Sequence, residues 1–324
     1  MLTLESIFMP QVGRQREAAI KRQTKQGNAP PSYLRFAHYT SAEAALSIIE
    51  RKRFWMRNVL CMPDYGEVQL GMEYLRDFLD QRPNYDLFVS EFDQCASGAA
   101  HEALTRFDEW ERDIRLDTYV SCISEHDSDE DAHGRLSMWR AFGSGTRVAI
   151  VLRIPLQSTV ALGLRIIFSP VAYLNKDQAH GVILEILKNV KENRDYVKSF
   201  DRTIVIAYIL MMLIAGVTCL KHEGFQEERE WRAIYSPNRL ESSLMKSCRK
   251  FVNGIPQIIY ELPLDVTVSP ALNDLDFSRV FDRLIIGPSP YPWVLYKAFA
   301  GALKDAGVDQ ASERVHVSGI PIRL

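Results

Sequence analysis

Thr203 to Leu220 is a run of 18 residues without a charge, bounded by Arg202 and Lys221. A run of this kind either crosses a bilayer or is buried in protein, so it constrains the fold strongly. Its length sits at the lower edge of a membrane span, and Thr203, Tyr208, Gly216 and Thr218 dilute it. A lone span this short is marginal in a bilayer about 30 Å thick. The reading is a buried helix, with no membrane partner expected. Gln178 to Val197 precedes it with Val182, Ile183, Ile186, Leu187 and Val190 at helical spacing. Together the two segments predict a helical insertion over about 177–220, packed on a sheet.

The rest of the chain is ordinary in composition. It has 324 residues, 47% of them hydrophobic and 25% charged, which excludes a disordered tail protein and allows one large domain or two modest ones. A formal net charge of −2 removes the global attraction expected of a nucleic-acid coat or a polybasic membrane binder, leaving only a local basic groove open. Cys61, Cys95, Cys122, Cys219 and Cys248 are odd in number and contain no Cys-x-x-Cys pair. They read as reduced thiols of a cytoplasmic protein, with neither a disulfide framework nor a zinc site. Glu5, Gln11, Arg14, Arg16 and Glu17 interrupt any signal-peptide core.

Residues 1–32 read as a basic helical arm around Arg14 to Lys25, ended by the breaker Gly27 to Ser32 and lying outside a single domain over 33–324. Tyr33 to Tyr39 predicts a strand, and Thr40 or Ser41 an N-cap for a helix over Ala42 to Arg51 with a buried stripe at Ala45, Leu46, Ile48 and Ile49. Phe54 to Met56 reads as a strand, and Glu67 to Leu79 and Ala99 to Arg112 as helices. Strands follow at Thr118 to Ser124, Val148 to Ile154, Glu230 to Tyr235, Gln257 to Leu262, Arg283 to Ile286 and Val315 to Val317, with a helix over Trp293 to Ala306. Helices and strands are mixed without regular alternation, which favours an α+β fold.

Three stretches invite chemistry. In Phe225 to Ile234, strand periodicity puts Glu228, Glu230 and Arg232 on one face and Arg229 and Trp231 on the other. Paired carboxylates repel unless a cation answers them, so they form either a salt-bridge ladder with Arg232 or Lys221 on a solvated face, or a pair that positions a ribose hydroxyl and stabilises positive charge. His38, at a strand-to-helix junction, is either a structural hydrogen bonder or a donor to a ligand hydroxyl or phosphate. The acidic stretch Glu125 to His133 fails as a calcium loop, because Ala132 replaces the turn glycine and Met138 the closing Glu; it reads as a solvated acidic loop, and no metal is expected. Gly143-Ser144-Gly145-Thr146 lacks the Gly-Lys-Ser/Thr of a phosphate loop and reads as a tight turn.

The string Phe36-Ala37-His38-Tyr39-Thr40-Ser41, then Ala44, Leu46, Ile48 and Ile49, then Asn58 with Asp64 and Glu67, resembles the start of the bacterial domain-of-unknown-function family 2971. Ser121-Cys122-Ile123-Ser124 with Met138-Trp139, Glu228-x-Glu230-x-Arg232 and Val317-x-x-Ile320-Pro321-x-Arg323 resemble later parts of it. The order of strand-end His, helix and late carboxylate strand is also similar to the ADP-ribosyltransferase fold, particularly its nucleic-acid-modifying toxins. That resemblance implies a mostly antiparallel sheet core of ADP-ribosyltransferase-like type, with NAD as substrate and a protein or nucleic-acid acceptor. It also implies a role in bacterial defence or competition. It assigns NAD binding to His38, with Tyr39 and Thr40 beside it, and to Ser121 or Tyr173, and catalysis to Glu230 with Glu228. The alternatives are an NAD glycohydrolase, in which water replaces the acceptor, and a non-catalytic ligand- or partner-binding module.

Overall fold

The computed structural model describes residues 2–24, 31–62, 66–141, 146–156, 159–239, 241–252 and 254–321. Asp64, Arg323 and Gly143 to Gly145, singled out above, lie outside them.

The strands are β1 (Tyr33–Ser41), β2 (Arg53–Asn58), β3 (Tyr119–Glu125), β4 (Arg147–Pro155), β5 (Ile167–Pro170), β6 (Ala172–Tyr173), β7 (Leu220–Lys221), β8 (Glu230–Tyr235), β9 (Lys246–Val252), β10 (Ile255–Pro263), β11 (Phe281–Ile286) and β12 (Val315–Val317). The helices are α1 (Leu4–Phe8), α2 (Pro10–Gln23), α3 (Ala42–Arg51), α4 (Glu67–Leu79), α5 (Arg82–Asp93), α6 (Ala99–Leu116), α7 (Leu136–Ala141), α8 (Val160–Leu164), α9 (Lys176–Glu192), α10 (Arg194–Lys198), α11 (Arg202–Thr218), α12 (Phe277–Val280) and α13 (Pro292–Asp305). This is an α+β fold on an open, mostly antiparallel sheet, with β6 and β7 in a separate two-stranded one; among the described residues only the β11–β12 and β6–β7 pairs are parallel.

The sheet forks at β3. One edge of β3 pairs with β8 from Tyr119 to Ser124, and β8 carries β5 on its far side. The other edge is shared: β1 takes its C-terminal end, with Phe36 opposite Glu125 and Ala37 opposite Ser124. β2 takes its N-terminal end, with Arg57 opposite Val120 and Asn58 opposite Tyr119. From there one branch runs β1-β4-β11-β12 and the other β2-β10-β9. Since partners across a ladder share a face, the register sorts the side chains. Cys122, Ser124, Glu230 and Arg232 point to one face together with Ala37 and Tyr39, while Phe36, His38, Ser121 and Trp231 point to the other.

A layer of helices covers the first face around α11, whose Val205, Ile206, Ile209, Leu210, Leu213 and Val217 are buried with Val120 and Ile234 of the sheet. Each such side chain, fully buried, contributes roughly 1.5–3 kcal/mol. α11 packs on α6 and α4 as well as on the sheet, and Gly71 of α4 is what lets it approach. A Cβ on Gly71 would lie 2.6 Å from the Val217 Cα. Among the described residues no helix is long and apolar enough to cross a membrane. The second face is covered by α3 and α13, joined with β2, β4 and β11 in a separate core. α3 starts where Ser41 Oγ accepts the Ala44 N–H, and ends at Lys52 in a left-handed conformation, φ 51°.

Two expectations need correction. The N-terminal helices are not outside the core: Ile7 and Phe8 are almost fully buried, and Phe8 stacks on Phe92 with ring centroids 5.6 Å apart. Further along, Arg22 pairs with the buried Glu125, and Gln23 exchanges two hydrogen bonds with the Arg35 backbone. The acidic stretch after β3 is not merely solvated. Asp127 and Glu130 pair with Arg229, Glu130 with Arg135, and Asp131 with Arg35 and Arg283, while His126 is fully buried.

Candidate functional site

Glu230, the first residue of β8, is only 7% exposed, and its carboxylate sits in a cluster of charge between the sheet and α4. Arg232 Nε donates to Glu230 Oε1 at 2.7 Å, and the same guanidinium bonds Glu67 and the Thr218 carbonyl, the latter at 2.8 Å. Lys221 Nζ lies 2.7 Å from Glu228, 3.0 Å from Glu67 and 3.6 Å from Glu230. Glu67 opens α4, where a carboxylate also suits the helix dipole. Burial alone would raise the Glu230 carboxyl; the charges of Arg232 and Lys221 and the Arg232 hydrogen bond outweigh it and hold the group at about 2. Burial likewise opposes the Arg232 charge, and Glu230 raises that guanidinium well above its ordinary value. The Cys122 thiol, pressed against this pair, is pushed up by burial and by the Glu230 charge.

A salt-bridge ladder, one of the two readings of this stretch, is therefore present, but it is buried rather than on a solvated face. The strand periodicity used to place Glu228 also fails, because the chain reaches β8 through a 3-10 turn, Glu223–Glu228, and a left-handed Arg229 with φ 43°. Glu228 joins Glu230 through Lys221, not by sharing a strand face. Tyr173, from β6, joins them too: its hydroxyl accepts the Glu230 N–H at 2.8 Å, and burial drives its phenol up.

Tyr39 shares the Glu230 face. Its hydroxyl accepts the Arg135 N–H at 2.8 Å, its ring meets Trp139 edge-on at 4.8 Å, and burial pushes its phenol up to about 12. His38, Thr40 and Ser121 point the other way, so the register does not bring His38 and Glu230 to one side of the sheet. His38 instead occupies the fork. Its Nδ1–H donates to the Cys122 carbonyl at 2.8 Å, next to where β1 leaves β3, and its ring packs edge-on against Phe54 of β2. Burial lowers the imidazole, with the Cys122 bond opposing, so the neutral form is favoured.

Beside the start of β8 opens a polar cleft of about 530 Å³, bordered by Glu130, Arg135, Ser137, Arg140, Glu227 and Arg229. Arg135 is fixed by the carbonyls of Glu125, Glu227 and Glu228 at 2.7, 2.8 and 3.1 Å and by Glu130. Arg229 is taken by Asp127 and Glu130. Arg140 is exposed and has no ion-pair partner among the described residues, which leaves it available to an anion. Sequence reasoning passed over Arg135 and Arg140. Arg135 gains its place from carbonyls far along the chain, and nothing local to Leu136–Ala141 announces a cleft. Among the described residues no group of His, Cys, Asp and Glu side chains is arranged to hold a metal ion.

The fold and site thus define an α+β chain with a buried carboxylate–cation cluster beside an arginine-bordered cleft. Residues 138–233, which supply Arg140, Lys221, Glu228, Glu230 and Arg232, match the family described as "Protein of unknown function (DUF2971)". That match supports the family resemblance over this segment. No curated protein and no solved structure matches the chain.

Proposed function

We propose that the arginine-bordered cleft binds a phosphate-bearing dinucleotide, NAD, and that the chain transfers ADP-ribose from it to a macromolecular acceptor on a sheet of ADP-ribosyltransferase type. The observation that carries the reading is strand order: β8, β3 and β1, which hold Glu230, Ser121 and His38, are neighbours, and the sheet forks where they meet. Arg140, without an ion-pair partner among the described residues, is a cation for a phosphate, and charge-assisted bonds of this kind are the strong ones. In the transfer, the bond between ribose C1′ and the nicotinamide nitrogen breaks and the pair leaves with nicotinamide. The acceptor then bonds to C1′ and gives up its proton. An ionised Glu230 would stabilise the positive ribose between these events; Tyr173 holds its backbone N–H, and Arg232 and Lys221 hold its carboxylate.

One observation favours a second reading, a non-catalytic binding module. Glu230 already faces two cations, and His38 lies on the opposite side of the sheet, so this arrangement does not present both to one ribose. Purified protein mixed with labelled NAD separates the readings. Transfer gives nicotinamide and label on protein or nucleic acid, glycohydrolysis gives nicotinamide without label, and a module gives saturable binding without turnover. Absence of both binding and turnover would reject the nucleotide site altogether.

A further inference from the structure

We infer that a second site, for a small uncharged apolar ligand, lies behind the charged cluster, between α11, α4, α9 and the N-terminal helices. A cavity of about 130 Å³ opens there, lined by Phe8, Leu75, Ile183, Met212, Leu213 and Val217 among others, with no charged side chain on its wall. Protein interiors ordinarily pack without voids larger than a water molecule. Of the three polar side chains on the wall, Gln11, Tyr74 and Ser169, the last already donates to the Pro170 carbonyl at 3.1 Å. A water needs two to four polar partners, which this wall offers sparsely, and an apolar space of this order accepts benzene or xenon.

Gly216 supplies independent support. It sits within α11, where glycine is unfavourable, and neither left-handed backbone nor crowding requires it, since a Cβ there would meet nothing within 4 Å. It is exposed while its neighbours Ala215 and Val217 are buried, and all three line the cavity. The missing side chain therefore leaves space. The ligand class that fits is an unsubstituted aryl or short branched alkyl group. Cys219 and Leu220 form part of the wall and lead directly into Lys221, so an occupant would press on the strand that carries the cluster's lysine.

Benzene is the solution probe, with thermal unfolding of the full chain as the readout, and xenon-pressurised crystals locate the site. Benzene should raise the melting temperature saturably, and xenon density should appear between α4 and α11. Gly216→Leu should weaken benzene at least tenfold. No benzene effect, or an equal one in Gly216→Leu, would overturn the site. If Gly216→Leu does not fold, the wild-type xenon position decides: density in this cavity supports the inference and its absence refutes it.

Discussion

Replacing Glu230 by Gln removes one charge from the buried cluster while keeping its shape, and its consequence for stability follows from the carboxyl's depressed titration. An unperturbed Glu has its midpoint at 4.5, and Glu230 is held at about 2. Because the folded group titrates below the unfolded one, its stabilisation is complete above about pH 4.5 and fades as pH falls toward 2. The gap is worth roughly 3 kcal/mol. Glu230→Gln should therefore lower stability by about 2–3 kcal/mol at pH 7, the amide recovering part of the hydrogen bond to Arg232. It should also flatten the acid limb between pH 4.5 and 2 by a similar amount. Urea unfolding of both proteins at pH 7, 5, 4 and 3 measures this, and Asp131, also held near 2, is common to both and cancels. Parallel loss of stability in the two proteins across that window would refute the claim that Glu230 is clamped as an ion.

Three further outcomes are expected. Gly71→Ala drives a Cβ to 2.6 Å from the Val217 Cα, and should cost about 1–3 kcal/mol in urea unfolding by forcing α4 and α11 apart. Phe8→Ala should cost about 3–5 kcal/mol because the ring is fully buried against Phe92; an unchanged melting temperature would return the N-terminal helices to the status of an arm. Arg140→Ala should leave the melting temperature nearly unchanged, the side chain being exposed and without an ion-pair partner among the described residues, yet weaken NAD about tenfold in calorimetry.

Local signals read well from the sequence where they were also the dominant ones. The α3 cap and stripe, the boundaries of α4 and the buried α11 follow from Ser41, from helical periodicity and from an uncharged run. α5 escaped notice because Pro83 and Asn84 look like breakers, although Pro is tolerated in a helix's first turn. β9 was hidden by its lysines and arginine, which suit an edge strand but erase the alternation that marks a buried one. The site was legible as residue types and not as geometry. Glu228, Glu230 and their cations could be listed, but a single left-handed residue, Arg229, changed which of them share a strand. Likewise His38 was placed correctly on β1, while its side of the sheet depended on a two-residue register with β3 that no local pattern encodes.

The fork at β3 also sets a timetable for synthesis. β2 ends at Asn58, and its outer partner β10 begins only at Ile255, about 200 residues later. At the 5–20 residues per second of translation, that edge stays bare for roughly 10–40 s on the ribosome. β4 waits in the same way for β11, which begins at Phe281. Both outer branches close late, so a nascent chain displays two unpaired strand edges, one on β2 and one on β4. Those edges are where a ribosome-associated chaperone would have to act, and where truncated chains would pair with one another.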